Sequence, residues 1–465
     1  MRRGECGQVT IFLSLLLISF LLVLSVCLEG IYVRIQMGAQ MRQHVAAGEY
    51  VQANYQKELL ERYHIFAVDG RYASKMETSI KQNWQKNTGM EPIALIISDQ
   101  VGVTQKDGDI LRHQIREYMK YAETAKILET LKKELLGVKE EAETDSLKNQ
   151  VDRITEEKEE EKPIENGEKK KSDPRKGLKK LLSHGILSLV MPEEKEISEQ
   201  TVAILYGKLD SSRDKKIDFF KKDSIAEYLS DHKKKTASSN LATEGLATAY
   251  AAEVFQNAVD HKAEDGIQYE MEYIVAGKDN DKENLKSAIN RLMLIRFALN
   301  YAYLLSDSGR QAQAYALALQ IGSIASAVPA VIEGIKMLLM AAWAYGESII
   351  DLRSLLKGNK IPLVKNSGNW QLELSQLASL SAKEKQNQSG ISYEDYLKIL
   401  LLLQTDKKEK YMRMMDLMEQ RIKISQPDFK LSECFFSYRM TVGSKVHSLF
   451  FNRTYSVENT RNYVY

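Results

Sequence analysis

The feature that most constrains this chain is an uninterrupted apolar run near its N-terminus. Residues 9–28 read VTIFLSLLLISFLLVLSVCL, with polar side chains at Thr10, Ser14, Ser19 and Ser25. Twenty helical residues span about 30 Å, the thickness of a bilayer's hydrocarbon core. A helix in a soluble core keeps a polar face, and this run has none. We therefore predict a transmembrane helix over residues 8–28 that holds the chain in a lipid bilayer.

The charges beside this run predict its orientation. Arg2 and Arg3 precede it, and Glu29 follows it. Positively charged residues tend to stay on the cytoplasmic side of a membrane helix. We therefore expect a single-pass protein of the cell membrane, with a cytoplasmic N-terminus at residues 1–7 and an extracellular body.

A cleaved signal peptide and a lipoprotein signal are the two other interpretations of the run. It is longer than the apolar region of an ordinary signal peptide, and no Ala-x-Ala cleavage site follows it. Leu24–Cys27 has the spacing of a lipoprotein site, but Val26 stands where such sites carry a small residue. A retained signal-anchor helix fits the residues best.

Amphipathic helical character continues beyond the membrane, over residues 29–90. No proline occurs before Pro92, so one long stalk helix could leave the bilayer and lead into a segment that docks on the body. Several shorter helices are the alternative, with Gly38 and Gly48 as the candidate breaks. The continuous rod is the favoured interpretation.

Composition restricts what the rest of the chain can be. Of 465 residues, 44% are hydrophobic and 28% charged, which suits a folded body. The formal net charge of +2 provides no field that would attract nucleic acid, so no nucleic-acid partner is expected. Of the three cysteines, only Cys434 belongs to the body, which excludes an intramolecular disulfide framework. A cell-surface protein without disulfides favours a bacterial envelope.

The middle of the chain divides into a helical region and a linker. Helices are predicted over residues 91–155, where apolar residues recur at three- and four-residue spacings. Residues 156–176 are almost wholly charged and cannot bury a core, which predicts a disordered linker. The basic half of this segment could bind teichoic acids or lipid headgroups, but the acidic block beside it favours the linker.

Residues 177–465 are predicted to form a mainly helical body. Helical periodicity is strongest over Leu241–Val259, Leu285–Leu305, Ile391–Leu403 and Lys410–Ile424. A second uncharged run, at residues 312–332, is rich in alanine, which contributes little transfer free energy. A buried helical hairpin over residues 312–346 is therefore favoured over a second membrane span.

Strand signals gather at the C-terminus and at one site within the body. They are found at Tyr269–Val275, Glu433–Val442, His447–Phe451 and Tyr455–Val464. Gly443-Ser444-Lys445 is predicted as a turn between two of them. The fold class predicted is α+β, mainly α, with a small antiparallel sheet that includes the C-terminal strands.

A search for catalytic chemistry finds no recognised motif. The chain lacks Gly-x-Ser-x-Gly, a Walker A sequence, His-Glu-x-x-His and Cys-x-x-Cys, and its seven histidines include no pair four residues apart. We predict no catalytic, cofactor-binding or metal-binding residues, no cofactor and no enzyme activity. Cys434 is interpreted as a buried thiol, and the C-terminal tyrosines as core and edge residues of strands rather than a carbohydrate surface.

Asp279–Glu283 is the strongest metal candidate. Its alternating acids resemble a calcium loop, but Lys282 adds a positive charge and Asn284 replaces the expected glycine. A polar turn in which Asp281 caps the following helix is the favoured interpretation.

Motifs in several parts of the chain carry a family resemblance. They are Gly7–Leu13, Leu28–Gly30, Tyr55–Ala67, Glu270–Asp279, Ala341–Tyr345 and Ile391–Leu397. The chain resembles a family of Gram-positive membrane-anchored proteins with TadG/TadE-like, pilin-like N-termini, found among genes for tight-adherence (Flp-type) pili and secretion. The resemblance implies a cell-surface location and partners among other pilus or secretion-apparatus proteins, and it implies no catalytic residues.

The N-terminal motif departs from that of pilins at one position. Pilins are cut after a glycine and carry a glutamate five residues beyond it, whereas Phe12 stands five residues after Gly7. The missing acid favours a stalk that remains an anchor over a polymerised fibre subunit.

Two functions remain open at this point. The favoured one is a non-enzymatic, membrane-anchored extracellular component of a tight-adherence pilus or associated secretion apparatus, as a pilin-like accessory or scaffold subunit. The alternative is a cell-envelope enzyme or solute-binding protein with a site assembled across the fold. The alternative predicts a concave pocket with clustered acids or histidines.

Overall fold

Helices dominate the fold, and the strands form one small antiparallel sheet that includes the C-terminal strands, which confirms the predicted α+β, mainly α, class. The computed structural model describes residues 5–88, 92, 94–121, 185–192, 195–210, 241–261, 265–324, 328–377, 380, 389–404 and 406–465. The predicted linker at 156–176 lies outside the described residues. The chain divides into two compact units, residues 1–114 with 426–465 and residues 115–425.

The apolar run and the segment after it form one helix, α1, at Glu5–Ala53. Neither Gly38 nor Gly48 breaks it, so the predicted rod is confirmed as far as Ala53. Beyond that residue the prediction is wrong, because Asn54 turns the chain without any proline. The Asn54 side chain donates to the Tyr50 carbonyl oxygen at 2.7 Å, an interaction that competes with the helical hydrogen-bond ladder.

The remaining helices follow in chain order. They are α2 (Lys57–Tyr63), α3 (Ala73–Thr88), α4 (Asp109–Tyr121), α5 (Ile186–Val190), α6 (Leu241–Val254), α7 (Glu270–Ala276), α8 (Asp281–Ser306), α9 (Ser308–Ile324), α10 (Pro329–Leu356), α11 (Tyr393–Leu403) and α12 (Lys407–Ser425). Short 3₁₀ turns lie at Gly70–Tyr72, Lys106–Gly108, Leu374–Gln376 and Leu431–Glu433. The predicted helices ending near Val259, Leu305, Leu403 and Ile424 correspond to α6, α8, α11 and α12.

The sheet belongs to the unit that contains α1. Its strands are β1 (Val68–Asp69), β2 (Ala94–Gly102), β3 (Cys434–His447) and β4 (Thr454–Val464). Strand β3 pairs antiparallel with each of the other three. The sequence-based division assigned the C-terminal strands to the body at 177–465, whereas they form one compact unit with the N-terminal helix.

Three predictions about segments of this sheet are wrong. Gly443 was predicted to begin a turn, but β3 runs through it because Gly443 pairs with Ala94 on one side and Glu458 on the other. Of the predicted strand His447–Phe451, His447 is the last residue of β3 and the others lie in the turn between β3 and β4. Helix was predicted throughout residues 91–155, yet Ala94–Gly102 is a strand, since its partner lies more than three hundred residues away in sequence.

The sheet and α1 enclose a common core. It contains Ala47, Val51, Val68, Met76, Ile80, Trp84, Leu95, Phe435, Tyr438, Met440 and Val442. Polar side chains complete the contact, because the Trp84 Nε1 donates to the Gln40 Oε1 at 2.7 Å and the Tyr438 hydroxyl donates to the Gly48 carbonyl oxygen at 2.8 Å. The second half of α1 is therefore a core element of a folded unit.

The second unit is built from helices, and α7 lies deep inside it. Tyr269–Val275 was predicted as a strand, which is wrong: Glu270–Ala276 is a helix whose seven residues are all buried. The strand was predicted from an alternation that placed Glu270 and Glu272 on one face, but both carboxylates point into the protein and accept backbone N–H groups. Gly277 ends the helix with a positive φ of 66°.

The segment predicted as a hairpin, residues 312–346, lies in two helices, α9 and α10. Ala318 of α9 packs with Ile335 and Leu339 of α10. Burial is incomplete in α9, where Tyr315 and Leu319 remain about two-fifths exposed, at 41% and 40%. The predicted hairpin is present, and its α9 half lies closer to the surface than expected.

Gly48 of α1 packs directly against the ring of Tyr463 in β4. A Cβ at this position would overlap the Tyr463 ring, which is stacked on Tyr438 and cannot swing away freely. Gly48→Ala should therefore lower the free energy of unfolding by about 1–3 kcal/mol, measured by denaturant unfolding in detergent micelles.

Gly38→Ala is the matched control for this prediction. A Cβ at Gly38 meets only Arg42, at 3.6 Å, so the substitution should stabilise α1 by up to about 1 kcal/mol through helix propensity. Equal effects of the two substitutions would contradict the close packing at Gly48.

Candidate functional site

The first half of α1 has the properties of a membrane anchor. Its large apolar side chains between Val9 and Leu28 are 42% to 65% exposed. Within the described residues, α1 is the helix that is long and apolar enough to cross a membrane, with a mean hydropathy of 3.0 over its most apolar window. Exposed apolar surface on this scale is stable in lipid and unfavourable in water. This segment is a candidate single-pass anchor.

The hydroxyl groups of the anchor are satisfied within the helix. Ser14, Ser19 and Ser25 each donate to the carbonyl oxygen three residues earlier, at 2.8 Å. A hydroxyl left without a partner in hydrocarbon costs free energy, and these bonds remove that cost. The polar interruptions noted in the sequence are therefore compatible with a lipid environment.

Glu29 marks the end of the apolar run and contacts the β3–β4 turn. Its side chain is buried, and its carboxylate accepts backbone N–H bonds from Leu449 at 2.9 Å and Phe450 at 3.0 Å. Burial alone would raise the pKa of Glu29, but these bonds and one from Ser448 hold that pKa below its ordinary value. The charged carboxylate thus holds the β3–β4 turn against α1 at the end of the apolar run.

His44 lies about one helical turn beyond Gln40, which accepts the bond from Trp84, and it is fully buried against the sheet. Its ring meets that of Tyr463 edge to face, with centroids 6.5 Å apart. Burial lowers the pKa of His44, and the charge of Arg461 lowers it further, against an opposing contribution from the Met440 backbone. The folded unit therefore favours the neutral imidazole.

Acid should weaken this unit through His44. Because the unfolded chain binds the proton more tightly, the stabilisation from a neutral His44 is complete above the ordinary pKa of 6.5 and is lost as pH falls below it. His44→Gln should flatten this part of the pH dependence of the urea midpoint in micelles. Gln43→Leu alters the same helix without removing an ionisable group and should leave the slope intact; an unchanged slope in His44→Gln would refute the assignment.

The second unit contains a closed ionic network around Arg296. Its guanidinium donates to Asp351 Oδ2 at 2.7 and 3.0 Å, and to the carbonyl oxygens of Pro362 at 3.1 Å and Leu363 at 2.9 Å. The Tyr396 hydroxyl accepts a further bond at 2.9 Å. Arg296 and Asp351 are both fully buried. The network binds α8, α10 and α11 to the irregular segment after α10.

Lys365 extends this network to a second carboxylate. Its Nζ lies 2.7 Å from both Glu347 and Asp351, and Glu347 also accepts the backbone N–H of Leu372 at 2.7 Å. Burial alone would raise the pKa of Asp351, but the charges of Arg296 and Lys365 hold it below its ordinary value. Burial and the charge of Asp351 raise the pKa of Glu347. The positive charges of Arg296 and Lys365 balance the negative charges of Asp351 and Glu347. This balance favours a structural role for the network.

Removing one cation should destabilise the second unit, because the charges of the network would no longer balance. Arg296→Met removes the Arg296 bonds to Asp351 and to two carbonyl oxygens and leaves Lys365 to balance two buried carboxylates, so we expect the free energy of unfolding to fall by about 3–5 kcal/mol. Lys282→Met is the control, because the Lys282–Glu199 pair is exposed and its loss should leave stability nearly unchanged. Thermal unfolding of the full chain in micelles checks both; similar effects would show that the buried network contributes nothing special.

Other buried acids in this unit accept hydrogen bonds from the backbone N–H groups of irregular segments. The Asp416 carboxylate accepts the N–H groups of Leu205 at 2.8 Å, Tyr206 at 2.7 Å and Gly207 at 3.1 Å. Glu272 accepts the Ala258 N–H at 3.0 Å. Burial raises the pKa of Asp416 and raises that of Glu272 to about 7. Both oxygens of Asp416 are engaged in this way, whereas Glu272 Oε2 is buried with no hydrogen-bond partner among the described residues.

The calcium-loop candidate forms a helix start. Asn280, not Asp281, caps α8, accepting the Glu283 N–H at 2.9 Å. Asp281 is buried and accepts bonds from the Ser198 hydroxyl at 2.6 Å and the Gln268 N–H at 2.9 Å. The predicted capped turn is present, but the capping residue is Asn280 rather than the predicted Asp281.

The other residues weighed for chemistry are dispersed. Cys434 is buried at the start of β3, as predicted, and its thiol faces the Lys430 carbonyl oxygen at 3.7 Å. It borders an open depression of about 310 Å³, whose lining contains Glu433 as its one acid and no histidine. Among the C-terminal tyrosines, Tyr438 is buried in the core, and Tyr463 and Tyr465 are partly buried against it. His184 and His232 lie outside the described residues.

Comparison of the chain with known protein families finds one match. A family model described as a family of unknown function (DUF5702) matches residues 164–446, more than half of the chain. No curated protein and no solved structure matches. The matched range begins beyond α1, so it rests on residues that follow the candidate anchor.

Proposed function

The chain belongs to DUF5702, a family of unknown function, and from its geometry we propose that it is a membrane-anchored, non-enzymatic scaffold protein of the bacterial cell surface. In this proposal α1 crosses the membrane once, the N-terminus is cytoplasmic, and both folded units lie outside the cell. The partners are other subunits of a tight-adherence (Flp-type) pilus or its associated secretion apparatus.

The observation that carries the proposal is the division of α1 between two environments. Its first half exposes a continuous apolar surface, whereas residues such as Ala47 and Val51 in its second half are buried against the sheet. One unbroken helix thus couples a lipid-compatible segment to a folded unit. An enzyme has no need of such a stiff connection, whereas a scaffold that holds partners at a set distance from the bilayer does.

The link to a pilus apparatus is supported by the pilin-like arrangement of an apolar helix that continues into a folded unit. Phe12 stands where pilins carry their acid, and this argues for a subunit that stays tethered. Arg2 and Arg3 before the apolar run support a cytoplasmic N-terminus through the positive-inside rule. The protein is therefore proposed as an accessory subunit rather than the fibre itself.

The buried acids of the second unit support a non-enzymatic role. Glu272, Asp416 and Glu347 have the burial and raised pKa values often found in active sites. In each case, however, the carboxylate accepts bonds from the protein's own backbone or side chains. Both oxygens of Asp416 and of Glu347 are engaged, which leaves them little capacity for a substrate, whereas Glu272 Oε2 has no partner within the described residues.

Deletion of the gene in its native host should abolish or reduce assembly of the tight-adherence pilus, scored by electron microscopy. The full chain should restore assembly and co-purify with pilus subunits after solubilisation. Leu16→Arg/Leu21→Arg should fail to restore it, because each arginine in the middle of the span disfavours insertion by about 2.5–3.5 kcal/mol.

Two comparisons make this experiment decisive. Lys282→Met changes an exposed residue outside the anchor and should restore assembly as well as the unaltered chain. Lys282→Cys should react with a membrane-impermeant maleimide on intact cells if that unit is extracellular. Normal piliation after deletion, with no pilus protein co-purifying, would refute the pilus role; loss of labelling on intact cells would refute the orientation.

A further inference from the structure

The turn between β3 and β4 presents an apolar cluster to its surroundings. We call residues 448–453 the hairpin tip. Leu449, Phe450 and Phe451 stand side by side in it, with 55%, 51% and 41% of their surfaces exposed. Turns are usually built from glycine, proline, asparagine, aspartate or serine, so three large apolar residues in succession call for an explanation.

The hairpin tip is an ordered turn. The Ser448 N–H donates to the Arg453 carbonyl oxygen at 2.7 Å, and the Phe451 N–H donates to the Ser448 hydroxyl at 2.8 Å. Asn452 adopts the left-handed region with φ of 48°, which asparagine tolerates well. The fold therefore holds the apolar side chains outward by hydrogen bonds on both sides of the turn.

The tip is fixed at a defined point along α1. The Glu29 carboxylate accepts the N–H groups of Leu449 and Phe450, and Glu29 directly follows Leu28, the last residue of the apolar run. Since a helix rises about 1.5 Å per residue, the tip lies within one helical turn of the point where α1 leaves the hydrocarbon. Its exposed side chains are therefore at the depth of the membrane interface.

The chemistry of this hairpin end suits a lipid surface. Large aromatic and aliphatic side chains partition into the boundary between headgroups and acyl chains. Lys445 and Arg453 lie on the same hairpin end and are exposed, where cationic side chains can pair with phosphate groups. The backbone N–H groups from Ser448 to Phe451, which would be costly to bury in lipid without partners, are already bonded to Glu29 or within the turn.

We propose that the hairpin tip inserts into the leaflet from which α1 emerges and forms a second, interfacial contact with the bilayer. The inference rests on the proposed role of α1 as a membrane anchor and adds to it. Glu29 acts as the positioning residue, because its carboxylate sets the tip at the level of the membrane surface. Two separate contacts restrict rotation of the folded unit about the helix axis.

Tryptophan fluorescence in brominated lipid tests this placement. The full-length Phe450→Trp variant is reconstituted in phosphatidylcholine–phosphatidylglycerol vesicles, with or without bromine atoms on the acyl chains near the headgroup. The emission added by the new tryptophan should fall about twofold in the brominated vesicles, because interfacial side chains lie within about 5–10 Å of that boundary. The native Trp84, Trp343 and Trp370 are buried and supply an unquenched background.

Two further tryptophan variants calibrate the result. Phe20→Trp reports the middle of the anchor and should be quenched by bromine placed deep in the acyl chains. Val464→Trp lies at the opposite end of β4, is similarly exposed, and should show no quenching. Glu29→Ala combined with Phe450→Trp should reduce quenching at the tip, while Glu29→Ala combined with Phe20→Trp should leave anchor quenching unchanged.

The outcomes separate this inference from the anchor on which it depends. Quenching at position 20 without quenching at position 450 would overturn the interfacial contact and leave the anchor standing. No quenching at either position would overturn both. A blue shift at position 450 without quenching would show that a second copy or another protein covers the tip, which also overturns the proposal. Undiminished quenching of Phe450→Trp in the Glu29→Ala background would show that Glu29 does not position the tip.

Discussion

The continuous hydrogen-bond ladder of α1 is the constraint on which the first unit depends. A helix satisfies its backbone internally, so the same ladder is stable in hydrocarbon and in a protein core. Only the side chains change along it, from exposed apolar residues before Leu28 to a buried face around Ala47 and Val51. Because the ladder is unbroken, the core formed with β3 and β4 is joined directly to the segment that favours lipid.

The second unit meets a different constraint, since it contains segments without regular structure whose N–H groups need partners. Buried carboxylates on its helices supply many of them: Asp416 holds residues 205–207, and Glu347 holds Gln371 and Leu372. A carboxylate can accept several bonds at once, which makes it effective where a strand partner is absent. Arg296 and Lys365 then balance the charge that this arrangement brings into the interior.

Local patterns predicted much of the helical framework, and long-range contacts account for the errors. Helices α8, α11 and α12 follow from apolar spacing because neighbouring residues determine it. For α7 the same reasoning failed, since an acid is ordinarily assigned to solvent and the partners of Glu270 and Glu272 lie on another segment. Strand β2 was missed because its pairing with β3 joins distant parts of the chain. The sequence alone showed that no recognised catalytic motif is present. It could not show the hydrogen bond between Glu29 and the hairpin tip, because the two bonded residues are 420 apart in sequence.

The unbroken passage of α1 out of the apolar run also has a mechanical consequence. From Glu29 to Ala53 the helix extends about 37 Å beyond the membrane boundary. Transmembrane helices tilt by about 20° on average, and a rigid lever of this length would carry its far end sideways by roughly 13 Å for such a tilt. In a bilayer, lipid thickness, which influences tilt, would thus be converted into a lateral displacement of the sheet.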